Sequence, residues 1–215
     1  MELIPFSIFI LPFINTPVSP SAQPILTKQL AVREFSLNNR YGNSFVNNVF
    51  KDNILLTIKY TKGEKIDPSK IDWEKIGKPM EYRLSLKPGE TFAFHDDVLP
   101  KYDGKVKKTT NSHFNSSEGF KSDGYLVGDG VCHLASLLYW VAKDAGLDTL
   151  APTNHDFANI PDVPREYGVS IYAYPEKRES DAVQNLYITN NKNKEVAFEF
   201  EYDGNKLRIK AVEKL

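Results

Sequence analysis

"GDGVCHLASLLYWVAKDAGL", Gly128 to Leu147, is the stretch on which the fold turns. Val131, Leu134, Ala135, Leu138, Val141, Ala142 and Ala145 recur at helical spacing and predict one amphipathic helix over 131–145. Asp129 stands where an N-cap belongs, and Gly146 where a left-handed C′ residue would end the helix. Beyond the helix the chain reads as strands: "GVSIYAYP", "VQNLYITNN", and "EVAFEFEYDGNKLRIKAV" as a hairpin with Asp203-Gly204 near its turn. Before the helix, "MEYRLSL" and "TFAFH" read as strands on either side of a "KPGE" turn. "ILLTIKYT" (Ile54 to Thr61) is apolar and β-branched and fits a strand or a short buried helix. "IDPSKIDWEKIGKP" reads as a short helix, with Asp67 as N-cap, Pro68 at N1 and Pro79 as the stop. The expected class is α+β. One central helix starts at the cysteine loop and packs on a largely antiparallel sheet, and the C-terminal half is strand-rich.

The bulk numbers agree with a folded chain. Of 215 residues, 41% are hydrophobic and 26% charged, which is a globular composition. Twenty-seven basic residues face 28 acidic ones, so no nucleic acid partner is expected. A single cysteine excludes an intramolecular disulfide framework and a four-cysteine zinc site. Residues 1–30 differ from the rest. "LIPFSIFILPFI" (Leu3 to Ile14) has the length of a signal-peptide core and is short for a membrane span, although no Lys or Arg precedes it. It reads as a signal peptide or a truncated anchor touching the membrane, which implies export. The alternative is an apolar arm packed on its own domain. The segment from Asp96 to Gly130 is polar and irregular, as functional loops often are. Its lysines (Lys101, Lys105, Lys107, Lys108) read first as a solvated loop and second as an anion site. "NSS" at Asn115 fits a glycosylation sequon, a pattern common by chance.

With Asp129 as the cap, Cys132 falls in the first turn of the helix, where unpaired N–H groups and the helix dipole favour a thiolate or an oxyanion. Gly124, Gly128 and Gly130 would let the backbone approach a substrate, whereas Asp129 would oppose thiolate formation by its charge. A thiolate nucleophile needs a base. His133 points about 100° away from its neighbour on a helix, so His155 in "APTNHDFANI" is the better candidate. Asp181, or else Asp156, would orient it. On spacing alone, a buried structural cysteine competes with catalysis. Cys132, His133, His155, His113 and His95 are also zinc-ligand types, but no HExxH or similar pair occurs, and neither metal nor cofactor is expected.

"LKPGETFAF", "GDGVCHLASLLYWVAKDAGL", "NHDF", and "SDAV" followed by "NLYITNN" together resemble the VanW domain family, named for an accessory protein of some vancomycin-resistance gene clusters. The resemblance runs from about Leu84 to Val212. It implies a division into residues 1–30 (signal-like segment and linker), 31–83 (an N-terminal extension of the domain) and 84–215 (a VanW-like domain). It places Cys132, His155 and Asp181 on the family's cysteine, histidine and Asp-Ala positions, and Gly128 and Gly130 on the outer positions of its glycine triplet. Asp129 departs from the middle glycine and His133 from the family's glutamine. The resemblance implies a bacterial, extracytoplasmic cell-envelope protein. Its Cys132/His155 thiol site would be oriented by Asp181, with Gly128, Asp129, Gly130 and His133 around the substrate or oxyanion. Acyl transfer or amide hydrolysis on peptidoglycan peptides would be its chemistry. A non-catalytic cell-wall-binding or structural module with a buried cysteine is the alternative, and a zinc site the third reading.

Overall fold

The computed structural model describes residues 26–174 and 178–215. Its N-terminal half comprises β1 (Thr27–Ser36), α1 (Ser44–Lys62), α2 (Trp73–Ile76), β2 (Met80–Leu86), β3 (Thr91–Ala93) and β4 (Val106–Lys108). Then come α3 (Val131–Asp144), β5 (Asp148–Leu150), α4 (Arg178–Ala182), β6 (Tyr187–Thr189), β7 (Val196–Tyr202) and β8 (Lys206–Lys214). The reading of Leu3 to Ile14 as a signal peptide or anchor lies outside the described residues. Among the described residues, no helix is long and apolar enough to cross a membrane.

The α+β class expected from the sequence is the class observed. The strands divide into two four-stranded sheets: β1-β8-β7-β2, antiparallel throughout, and β4-β3-β6-β5, in which only β3 and β4 run parallel. Period-2 alternation builds the first sheet. Phe198, Phe200, Tyr202, Leu207, Ile209 and Leu84 are buried on one face. The other face carries Arg83–Glu199, Lys210–Glu201 and Arg208–Glu34 pairs. Helix α3 packs against β1 and β8 of this sheet, against β5 of the other, and against α1. It is therefore the hub on which both layers meet.

Helix α3 ends as the sequence predicts. Gly146 has φ 67°, its N–H reaches the Lys143 carbonyl, and the Leu147 N–H reaches that of Ala142, a Schellman closure. The start differs. Gly130 (φ 98°), not Asp129, is the N-cap, and the Asp129 carboxylate accepts the Asp123 N–H instead. Cys132 is accordingly the second helical residue.

Of the strand and the buried helix open to "ILLTIKYT", the helix forms: the stretch belongs to the 19-residue helix α1, in which residues 53–58 are all buried. Such a run loses its helical polarity signal because every face is covered. The termini carry the signal instead: the Asn43 side chain caps the Phe45 N–H, and Gly63 closes the C-terminus at φ 85°. "IDPSKIDWEKIGKP" does hold the Asp67 cap, but over a single 3₁₀ turn (Pro68–Lys70), and Asp72 caps the separate α2. Residues 168–174, the described part of "GVSIYAYP", join neither sheet.

Candidate functional site

The site forms where the glycine loop meets α3. Its support is Asn53, a fully buried side chain on α1. Its Nδ2 donates to the carbonyls of Lys121 (3.0 Å) and Asp129 (2.9 Å), and its Oδ1 accepts the Lys121 N–H (2.9 Å). One side chain thus satisfies three backbone groups across residues 121–129. The glycines complete the seat. A Cβ on Gly130 would stand 2.7 Å from the Phe50 carbonyl oxygen, and one on Gly128 would stand 2.9 Å from that of Phe114. Both also have positive φ. The close approach at these two glycines is to α1 and to residue 114, and the backbone of both also lines the cleft described below.

Residues 168–174 run extended beside the first turns of α3. On one side, the Val169 N–H donates to Ser136 Oγ (2.9 Å) and the Ile171 N–H to Cys132 Sγ (3.4 Å). On the other, the N–H groups of Ser170 and Tyr172 reach the carbonyls of Thr153 and Gln184, and that of Tyr174 reaches the Asp181 carboxylate. This segment was expected as a strand. It finds its partners in side chains and loop carbonyls rather than a sheet edge, which satisfies the same backbone requirement.

Each expected site residue can now be placed. The Cys132 thiol also donates to the Ile171 carbonyl (3.5 Å). Burial, with a smaller push from the Asp129 charge, raises its pKa to about 11. No hydrogen bond joins it to an imidazole among the described residues. His155 lies in the same cleft. Its Nδ1–H donates to the Ala158 carbonyl (2.9 Å), which leaves Nε2 as the acceptor, and its ring lies 3.9 Å from that of Phe157. Desolvation lowers its pKa. Asp181 is not brought to His155. The fully buried carboxylate serves the Tyr174 N–H and lies near His95, so the group that orients His155 is a backbone carbonyl. Asp156 pairs with Arg165 on the surface. His133 is buried, edge-on to His155 with ring centres 6.2 Å apart, and contacts Arg40 through Nδ1. Asp129 is raised to about 6, first by partial burial and then by its neighbour Asp123.

Of these, Asp129, Cys132, His133 and His155 line one cleft of about 350 Å³, and Asp156 and Asp181 do not. Gly128, Asp129, Gly130, Cys132 and His133 form one wall, and His155, Phe157, Ser170, Tyr172 and Gln184 another. Its rim is apolar and open to solvent: Leu126 is 61% exposed, Phe157 69%, and Val127 and Tyr172 about half. Tyr41 and Phe50 close the far side. The sequence reading missed these last two, together with Asn53 and Arg40. An asparagine inside the apolar run "DNILL" was the one visible signal, since a buried amide needs partners. A larger hollow of about 590 Å³ beside the β7–β8 turn is lined by Glu34, Glu201, Lys206 and Arg208, which pair with one another.

The zinc-ligand types are not gathered. His95 is tied to the Gln184 carbonyl and to Asn185, and His113 to Asp96 and Glu118, while Arg40 occupies Nδ1 of His133. Among the described residues, the one metal-competent group is Asp96, Asp97 and His113, which shares no residue with the cleft.

A family model described as VanW like protein matches residues 82–212, from β2 to β8 and across the whole Cys132 loop. No curated protein and no solved structure matches the chain. The match covers more than half of the sequence and runs through the Cys132 loop, α3 and the His155 segment, so the chain belongs to the VanW-like family.

Proposed function

We propose that the cleft at the start of α3 is a ligand-binding site of a cell-envelope protein, and that Cys132 is a protonated, structural member of its wall. The observation that carries this reading is the state of the sulfur. It accepts from one backbone N–H, donates to a carbonyl of the same residue, and is held near 11 by burial. A thiol so held contributes closure of residues 169–171 onto α3. Exposed apolar side chains on the rim of a concave polar-floored site are the usual mark of a binding surface. The envelope setting is supported by the family, and peptidoglycan or its peptides are the ligand class consistent with it.

The test is co-sedimentation with isolated cell-wall sacculi. Leu126→Asp and Phe157→Asp should weaken pelleting at least tenfold, and Cys132→Ala should leave it within about twofold. Equal pelleting of wild type and both rim variants would overturn the reading.

One observation favours a second reading. Cys132 and His155 share the cleft, and Nε2 of His155 is available as a base. Apo sites of thiol enzymes can be loose. A Cys132/His155 acyl transfer or amide hydrolysis would require ligand binding to free the sulfur from Ile171. Trapping of an acyl group on Cys132 from a peptidoglycan peptide, lost in His155→Ala, would establish it over the first.

A further inference from the structure

Arg40 lies just beyond β1, and its guanidinium is largely buried without an ion pair among the described residues. It lies on the Phe35 ring, 4.2 Å from the centroid, and Nη2 donates to the Pro161 carbonyl. Its Nη1 stands 2.8 Å from His133 Nδ1. A guanidinium has donors only. Nδ1 must therefore be the acceptor, and the imidazole proton sits on Nε2. Among the described residues, the one hydrogen-bond partner of Nε2 is the Tyr41 hydroxyl at 3.5 Å, long enough to be exchanged for a ligand oxygen.

We infer that Arg40 is a positioning residue that fixes His133 as the Nε2–H tautomer, so that the cleft presents a hydrogen-bond donor here and takes a carbonyl or carboxylate oxygen of its ligand. The use of that donor rests on the cleft being the binding site; the tautomer does not. An imidazolium at His133 would set an N–H against the guanidinium, and His155 faces the ring from the other side. Burial first, and then both groups, hold His133 well below the usual histidine value. The remaining ionisable groups nearby are Tyr41, Asp162 close to Arg40, and Asp129 and Asp123 close to Tyr41. None of these carboxylates is hydrogen-bonded to the His133 ring, so none offers it a compensating acceptor. The donor state therefore persists across neutral and mildly acid pH, and a ligand ammonium would be rejected at this position.

Long-range proton–nitrogen NMR of the imidazoles tests the inference on the intact chain. Only four histidines contribute, and His133→Gln identifies the His133 signals by their loss. Wild type should show Nε2 protonated and Nδ1 bare, unchanged from about pH 5 to 8. Arg40→Lys, which keeps a donor, should preserve that state, while Arg40→Met should populate both tautomers. A protonated Nδ1 in wild type, or an Arg40→Met spectrum identical to wild type, would overturn the proposal. Should Arg40→Met fail to fold, the wild-type tautomer alone decides. Loss of sacculus binding specificity with the tautomer intact would instead count against the cleft and leave the Arg40–His133 pairing standing.

Discussion

Cys132 and Asp129 are three residues apart, and the surroundings of each disfavour its charged form. For Cys132, a pKa of about 11 leaves about one part in a thousand as thiolate at pH 8, where an ordinary thiol near 8.5 is about a quarter ionised. Alkylation by iodoacetamide should therefore run at least 100-fold slower than for a free cysteine at pH 8, with a rate profile whose midpoint lies above 10. A midpoint at or below 8.5 would show a thiolate-stabilising site and restore the nucleophile reading. For Asp129, the folded pKa of about 6 lies above the unfolded value of about 3.9. The carboxyl thus favours the fold while protonated, below pH 4, and opposes it as pH rises through 6. Asp129→Asn keeps an acceptor for the Asp123 N–H and removes the charge. Because the group is about half exposed, solvent screening reduces the full linkage value, and a gain of about 1 kcal/mol at pH 8 is expected. It should vanish near pH 4, as read by urea unfolding at both pH values. A loss at pH 8 would show that the charge is compensated.

Helix α1 holds the cleft in place, and the glycine loop depends on it more than on its own residues. Asn53→Ala would leave the Lys121 N–H and the Asp129 carbonyl without partners, while the Lys121 carbonyl keeps the Gly128 N–H, at a cost of about 3 kcal/mol. Amide exchange over residues 121–130 should accelerate in that variant while β7 and β8 stay protected; uniform acceleration would show that Asn53 supports the whole core. Gly130→Ala should cost as much or more, since the added carbon meets the backbone of Phe50 and φ stays positive. How much of this was legible depends on which signals are local. The spacing of Val131 to Ala145 and the Gly146 stop are local, and α3 forms as they dictate. Asp129 looked like a cap because the residue type is right, but Gly130 can take the positive φ that the tight entry requires. Helix α1 was ambiguous because its central run is buried on all sides. The cleft joins residues 41, 50, 132, 155 and 171. That set is brought together by α1 packing on α3, which no spacing along the chain encodes. Asp181 fell on a plausible position and serves Tyr174, because an extended segment lacking a sheet partner needs a carboxylate to continue its ladder.

At the scale of the whole molecule, the family match and the folding unit have different extents. The match spans residues 82–212, yet β1 pairs along its length with the C-terminal strand β8, and α1 contributes Ile54, Leu55, Leu56 and Ile58 to the buried core. Removing residues 26–81 would strip one edge from β8, leaving its outward row of backbone groups open to other chains. It would also uncover the face of α3 that α1 covers, and take with it Tyr41, Phe50 and Asn53 from the cleft. Burial of four aliphatic side chains at about 1.5–3 kcal/mol each is comparable with the whole net stability of a typical domain, about 5–15 kcal/mol. A chain of residues 82–215 should therefore lack near-ultraviolet circular dichroism, bind a hydrophobic dye and self-associate, while residues 26–215 fold cooperatively. A monomeric, cooperatively unfolding 82–215 chain would show that β7, β8 and α3 form a self-sufficient core. In that case β1 and α1 would be an added layer whose role is to build the cleft, and Asn53→Ala would open the loop with no change in global stability.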